Sequence, residues 1–352
     1  MCATDRRAPR RQRGLSLIEL MVGIVVSLLV GLAAAGSAKV FTASQRQGIS
    51  SGGMAVGAST ALAAMKSDVA SAGLGFFGDS TFKCHSLALS AGTSVKFDGA
   101  SFAPARITRT GTGSAATDRL DVLYSTAIDG GANVLIAGTA TSAAANLLSL
   151  LPVSTGQTVL MAPAAPGTTC LVRSVTAVTA ATETTPQALT FSSSGTYNQG
   201  TFTSAPTFAE EDRIAVLGEL RWSRYRLSGT NLLLERPMDG SSATLMRNVM
   251  GFRVQYGVSA DDATTTLSGW VDPTGGTWGS VAGADVNRVR AVRLGLVTRS
   301  AQREKEDESG NCVASDAKPQ LFGVDVEPDV TDWRCFRFRT SVVVVPLRNM
   351  VW

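Results

Sequence analysis

A single histidine in 352 residues removes most of the catalytic repertoire. A Ser-His-Asp or Cys-His centre would have to be built on His85, and a histidine-rich metal site has no ligands to draw on. Cysteine is scarce as well: there are five, at 2, 84, 170, 312 and 335, and no C-x-x-C pair to act as a redox motif. The body lacks a charge excess. Five of the 32 basic residues and one of the 28 acidic residues fall in the first fourteen positions, which leaves 27 of each sign for everything after Gly14. A neutral body offers no polyanion-binding surface in its net charge, so nucleic acid is not an expected partner. Long apolar runs are also lacking after the first, so the body reads as one unit carried on one membrane helix.

That one run is Leu20 to Ala38, 19 residues without a charge, bounded by Glu19 and Lys39. At about 1.5 Å per residue it spans roughly the 30 Å of a bilayer core. Arg6, Arg7, Arg10, Arg11 and Arg13 precede it and no comparable basic cluster follows Lys39. The positive-inside bias therefore predicts a cytoplasmic amino end and a body on the far side. Cys2 stays with the arginines, and the other four cysteines enter a compartment that permits disulfides. Three pairings are open to them. Glu19 is the anomaly, because a carboxylate at the mouth of a membrane helix costs up to about 2.5–3.5 kcal/mol and usually marks a partner or a function.

A short basic leader, Gly14, then L-S-L-I-E with Glu19 fifth after the glycine, then an apolar helix: this arrangement resembles a type IV prepilin leader. The usual phenylalanine after the glycine is replaced by Leu15. The resemblance implies cleavage between Gly14 and Leu15 by a membrane prepilin peptidase and N-methylation of Leu15. It also implies a role for Glu19 as a register carboxylate, neutralising the Leu15 amine of a neighbouring subunit as helices bundle. The competing reading is a plain signal-anchor with an incidental Glu19, or a signal cut after Ala35 or Gly36.

Beyond the run, Val40 to Gln47 continues a helix, and Gly48, Gly52, Gly53 and Gly57 are expected to loosen it. Leu62, Met65 and Val69 then recur at helical spacing, and Gly73 with Gly75 supplies a stop. From Ser80 to Glu210 the composition is rich in Ala, Ser, Thr and Gly, with short apolar stretches at 119–125, 157–163, 170–178 and 187–193 that predict strands. Thr126 to Leu151 is ambiguous between loop and short helix. The later half, with GFRVQYGV and RVRAVRLGLV, alternates charged and apolar residues and predicts half-buried antiparallel strands.

Several of these stretches, in order, resemble the PilW-type minor pilins: ALAAMKSDVASAGLGFFG, RLDVLYS, YRLSGTNLLLERPM, NVMGFRVQYGV, RVRAVRLGLVTRS and FRFRTSVVVVPLRNM. The segment 126–205 matches nothing in that pattern. The resemblance implies an α+β, type IV pilin-like fold in which a long amino-terminal helix packs on a β-rich antiparallel domain. Residues 1–14 would be the leader, 15–73 the helix (membrane-spanning over 20–38, loosened near 48–57), and 74–352 a periplasmic body. Proximity in the sequence favours pairing Cys84 with Cys170 and Cys312 with Cys335, and the resemblance supports this by analogy, because pilin-like proteins commonly close a carboxyl-terminal loop this way. Implied partners are prepilin peptidase, other minor and major pilins, a pilus tip adhesin and the bacterial inner membrane. The implied site is the inner membrane and then the pilus at the cell surface, where adhesion, twitching motility or DNA uptake follow from the assembled machine.

The remaining candidates favour no enzyme, no cofactor and no metal. GTGSAA (111–116) lacks the P-loop lysine and reads as a turn. Asp325, Glu327, Asp329 and Asp332 lack EF-hand spacing and read as an exposed acidic loop. QREKEDESGN (302–311) mixes both signs as a solvated loop does. Trp270 and Trp278 suit either a sugar platform or the edge of a core. Two alternatives to a minor pilin stand: a type II secretion pseudopilin of J type, and a membrane-anchored envelope enzyme or binding module. The J-type members are usually shorter. The long K-type members typically lack the fifth-position glutamate.

Overall fold

The computed structural model describes residues 16–76, 84–126, 134–164 and 169–350. Leu17–Ser71 forms one helix, α1. Its first part is built of Leu, Ile, Val and Ala, which lose little or no backbone hydrogen bonding in an apolar setting because every amide is satisfied within the helix. The four glycines at 48, 52, 53 and 57 do not interrupt it, so the expected loosening is not visible as a break. The chain nevertheless divides into two compact units between Gly53 and Met54, inside that glycine-rich stretch.

The helix ends at Ser71, and Gly73 and Gly75 turn the chain with φ of 78° and 85°. At Gly75 a side chain is barred twice over, since a Cβ would also lie 2.7 Å from Leu217 Cδ2. The second compact unit begins at Met54, and Met54, Ala58, Ala61, Leu62, Met65, Val69 and Ala72 are all buried within it.

The body follows as strands. The first group is β1 (Ser86–Ala91), β2 (Ser94–Ser101), β3 (Ala105–Thr110) and β4 (Thr117–Ser125). The middle supplies β5 (Val134–Leu135), β6 (Ala144–Leu147), β7 (Thr158–Ala162), β8 (Cys170–Ser174), β9 (Ala177–Thr179) and β10 (Gln187–Thr190). Then come β11 (Arg213–Leu217), β12 (Leu220–Ser228), β13 (Asn231–Arg236), β14 (Ser241–Met246), β15 (Val249–Val258), β16 (Gly269–Val271) and β17 (Val289–Arg299). A small hairpin of β18 (Gln320–Leu321) and β19 (Val324–Asp325) precedes β20 (Phe338–Pro346).

Three larger sheets result, ordered β2-β1-β8-β7-β11-β5, β14-β13-β12-β4-β3 and β16-β15-β17-β20, and a three-stranded sheet β6-β10-β9 sits beside them. All ladders among the described residues are antiparallel except β1 with β8, where Leu87 faces Cys170. The Cys84–Cys170 disulfide closes the start of that parallel pair, and a second disulfide joins Cys312 to Cys335.

The main core gathers one face of α1 with Leu120, Val122, Tyr225, Phe252, Val254 and Leu294. A second core, around Leu147, Met161, Leu171, Leu189 and Phe208, belongs to the middle segment, which is strand and turn where it is described. In one respect the strands differ from their alternating pattern. β15 and β17 are buried on both faces, and Arg253 and Arg290 are only 3% and 5% exposed. The hairpin β18–β19 and neighbouring loops cover the outer face, and both arginines donate to carbonyls there, although Arg253 Nε is buried without a partner among the described residues. Arg253 donates to Gly113 O at 2.6 Å, and Arg290 to Asp262 O at 2.8 Å and Thr264 O at 3.0 Å.

Candidate functional site: the amino-terminal helix and its seat

Leu17–Ala38 is long and apolar enough to cross a membrane, with a mean hydropathy of 2.5 and none of its apolar window buried in the protein. Leu17 is 75% exposed and Ile18 72%. Its polar side chains bond to their own helix: Ser27 Oγ donates to Gly23 O at 2.6 Å and Ser37 Oγ to Ala33 O at 2.9 Å. That pattern suits a helix surrounded by hydrocarbon, where a hydroxyl has nothing else to bond.

Glu19 lies in the first turn of α1, where its charge complements the helix dipole. It is exposed, and among the described residues it has no hydrogen-bond or ion-pair partner. Gly14 and Leu15 lie outside the described residues.

At its other end α1 is seated by one acid. Asp68 falls on the apolar face, three residues after Met65 and four before Ala72, and only 9% of it is exposed. Its Oδ1 accepts from Tyr124 Oη at 2.7 Å, and its Oδ2 accepts from Tyr225 Oη at 2.6 Å. The two phenols come from β4 and β12, four residues apart in register, and converge on the one carboxylate. Burial, followed by the Asp68 carboxylate, pushes Tyr124 up to about 12 and raises Tyr225 further. A second acid ties two sheets together. Asp118, on β4, is fully buried at its side chain and accepts a forked pair from Arg109 at 2.7 and 2.9 Å, while Val254 N of β15 donates to its Oδ2 at 2.7 Å. Burial weighs against the Arg109 charge, but Asp118 and Asp272 outweigh it and its pKa is raised.

The other residues singled out in the sequence are not brought together. His85 has its Nε2 3.5 Å from Asn287 Oδ1 in a half-buried position. The four carboxylates near the carboxyl end do not converge on a cation site. Asp329 pairs with Arg299, Asp332 with Arg303, Glu327 with Lys318, and Asp325 accepts from Gln320. In the mixed-sign loop Arg303 also pairs with Glu306, and Glu304 with Arg337. GTGSAA is a turn holding a short 3-10 segment at Gly113–Ala115. Trp270 and Trp278 are covered by arginines, Arg293 lying 4.8 Å from the first ring and Arg288 5.1 Å from the second.

Two family models match this chain. The model for Type IV Pilus-assembly protein W matches residues 219–349, and the prokaryotic N-terminal methylation motif matches residues 9–35. A methylation motif on an exposed apolar helix, ahead of a β-rich body, defines a type IV pilin-like protein. Its carboxyl-terminal part, residues 219–349, matches the PilW family. These matches point to a structural protein, and the methylation motif implies, in general terms, processing by prepilin peptidase and contact with other pilins. A solved type IV-like pilin from Thermus thermophilus is similar at 9% identity, over 71% of this chain and 86% of its own, with a TM-score of 0.29. No curated protein matches.

Proposed function

We propose that this protein is a minor pilin, cut after Gly14, methylated on Leu15, and built into the initiation or tip complex that primes a type IV pilus. In the membrane the leader faces the cytoplasm and the body the periplasm. The observation that carries the reading is Glu19: among the described residues it is an exposed carboxylate without a partner, in the first turn of a helix whose opening stretch, Leu17–Ala38, has none of its apolar window buried. Such a charge is costly in a bilayer and is relieved by an opposite charge there. The amine freed at Leu15 of a neighbouring subunit supplies it. The W-family match favours a pilus over the J-type secretion pseudopilin, and partner capture separates the two.

The mass of the mature amino terminus tests the processing. A methylated Leu15 is the expected result, and an intact Met1 or a cut after Ala35 or Gly36 sinks it. Capture of the full chain with its membrane partners is expected to return pilins, whereas secretion pseudopilins alone would support the alternative. Glu19→Ala is expected to be processed normally but to fall out of sheared filaments, and undiminished incorporation removes the register role.

A further inference from the structure

The five-stranded sheet carries α1 on one face, and its other face is charged. Arg106, Asp121 and Arg224 stand abreast on β3, β4 and β12, since Asp121 is the cross-strand neighbour of both arginines. Asp121 accepts from Arg224 Nε at 2.6 Å, Arg119 Nε at 2.9 Å and Trp222 Nε1 at 3.0 Å. The acid therefore fixes two guanidinium planes and an indole without cancelling the local charge. Beside them opens a cleft of about 200 Å³, walled on its far side by Lys96 and Phe97 of β2. Four cations line it against one carboxylate. Among the described residues neither Lys96 nor Arg106 has an ion-pair or hydrogen-bond partner. The rings of Phe97 and Trp222 lie 5.1 Å apart and give the cleft an apolar wall.

We infer that this cleft binds one acidic sugar residue, a ring bearing a single carboxylate. A carboxylate suits the cations, because guanidinium forks and an ammonium hold it by charge-assisted hydrogen bonds. A ring suits the aromatic wall, which gives the apolar contact that most ligand pockets supply. The size fits a single ring, since the cleft is smaller than the roughly 300 Å³ at which pockets for larger ligands begin. A polyanion such as nucleic acid needs a track of positive charge, and here a local cluster of four cations sits in a body whose charges balance overall. The inference does not depend on the pilin reading.

Calorimetric titration of the detergent-solubilised full chain with tri-galacturonic acid tests it, with neutral galactotriose, inorganic phosphate and a short single-stranded oligonucleotide run in parallel. The acidic trisaccharide is expected to bind at least about tenfold more tightly than the neutral one, a difference of about 1.4 kcal/mol. Lys96→Ala combined with Arg106→Ala is expected to weaken it by about tenfold or more at unchanged melting temperature, because neither side chain has a partner to lose. No binding of the uronate, equal binding of the neutral sugar, an unaffected double variant, or a preference for phosphate or the oligonucleotide each overturns the proposal. None of these readouts involves filament assembly, so failure here leaves the pilin reading standing and failure there leaves this one.

Discussion

The Tyr225 hydroxyl donates to Asp68 at 2.6 Å, and this bond, with its twin from Tyr124, fastens a helix to the centre of a sheet. Helix, acid and phenols are all withdrawn from solvent, so the carboxylate takes two charge-assisted bonds in place of hydration. Asp68→Ala leaves two buried hydroxyls unmatched, and the expected loss is about 2–3 kcal/mol. Urea denaturation of the full chain, followed by near-ultraviolet dichroism, measures it. A loss below about 0.5 kcal/mol, the scale of an ordinary surface substitution, would show that the helix is seated by apolar packing alone.

All four tyrosines, at 124, 197, 225 and 256, are raised from the ordinary phenol value, in each case first by burial. The unfolded chain releases these protons near pH 10, and the folded chain retains them. Stability contributed by these groups is therefore complete below about pH 10 and declines above it, for Tyr124 through about 12. Tyrosinate absorbance is expected to show no step near pH 10 in the native protein and a full one in urea. A native step of one tyrosine or more at pH 10 contradicts the burial described.

The two disulfides differ in exposure, since Cys84 and Cys170 are wholly buried and Cys312 is half-buried. Mild reductant followed by alkylation is expected to label Cys312 and Cys335 first. The pairs also differ in the loops they close, with sequence separations of 86 and 23. The chain-entropy relation gives about 4–5 kcal/mol for the first and about 3 kcal/mol for the second. Paired alanine variants compared by chemical denaturation test that ranking, and a larger loss at the carboxyl-terminal pair reverses it.

Gly295 sits on β17 under the β18–β19 hairpin, where a Cβ would lie 2.7 Å from Leu321 Cδ2 and 2.9 Å from the Phe322 ring. Gly295→Ala is expected to lift that cover and cost about 1–3 kcal/mol, as overpacking does. Limited proteolysis gives the matching readout, with faster cleavage near residues 318–327. Unchanged proteolysis and stability would mean that the hairpin gives way freely.

The amino-terminal reading was legible because it rests on local features: glycine, spacing to Glu19, leader charge and an apolar run. The helix face of Leu62, Met65 and Val69 and the later strands were legible by period, since their apolar residues face one core. Asp68 was missed, although an acid in step with Met65 and Ala72 is the kind of signal that marks a buried partner. The partnership of β4 with β12 was not readable, because about a hundred residues separate them and no local pattern encodes a distant neighbour. Arg253 and Arg290 misled, since charged positions in an alternating strand suggest solvent, whereas a remote hairpin and loop cover them. The parallel β1–β8 pair depends on a return through the middle segment, which resembles no stretch of the family pattern.

The W-family match opens at residue 219, just before β12, yet β12 hydrogen-bonds on one side to β4, a strand supplied by Thr117–Ser125. The matched region is thus not a self-sufficient folding piece. Cut out along its own borders, it would bare the backbone edge of β12 and strip Tyr225 of the carboxylate from the helix, presenting a sticky strand where the native protein has a closed joint. Any excision for crystallisation or display has to keep the long detour through residues 54–218, however little of that detour the family pattern describes.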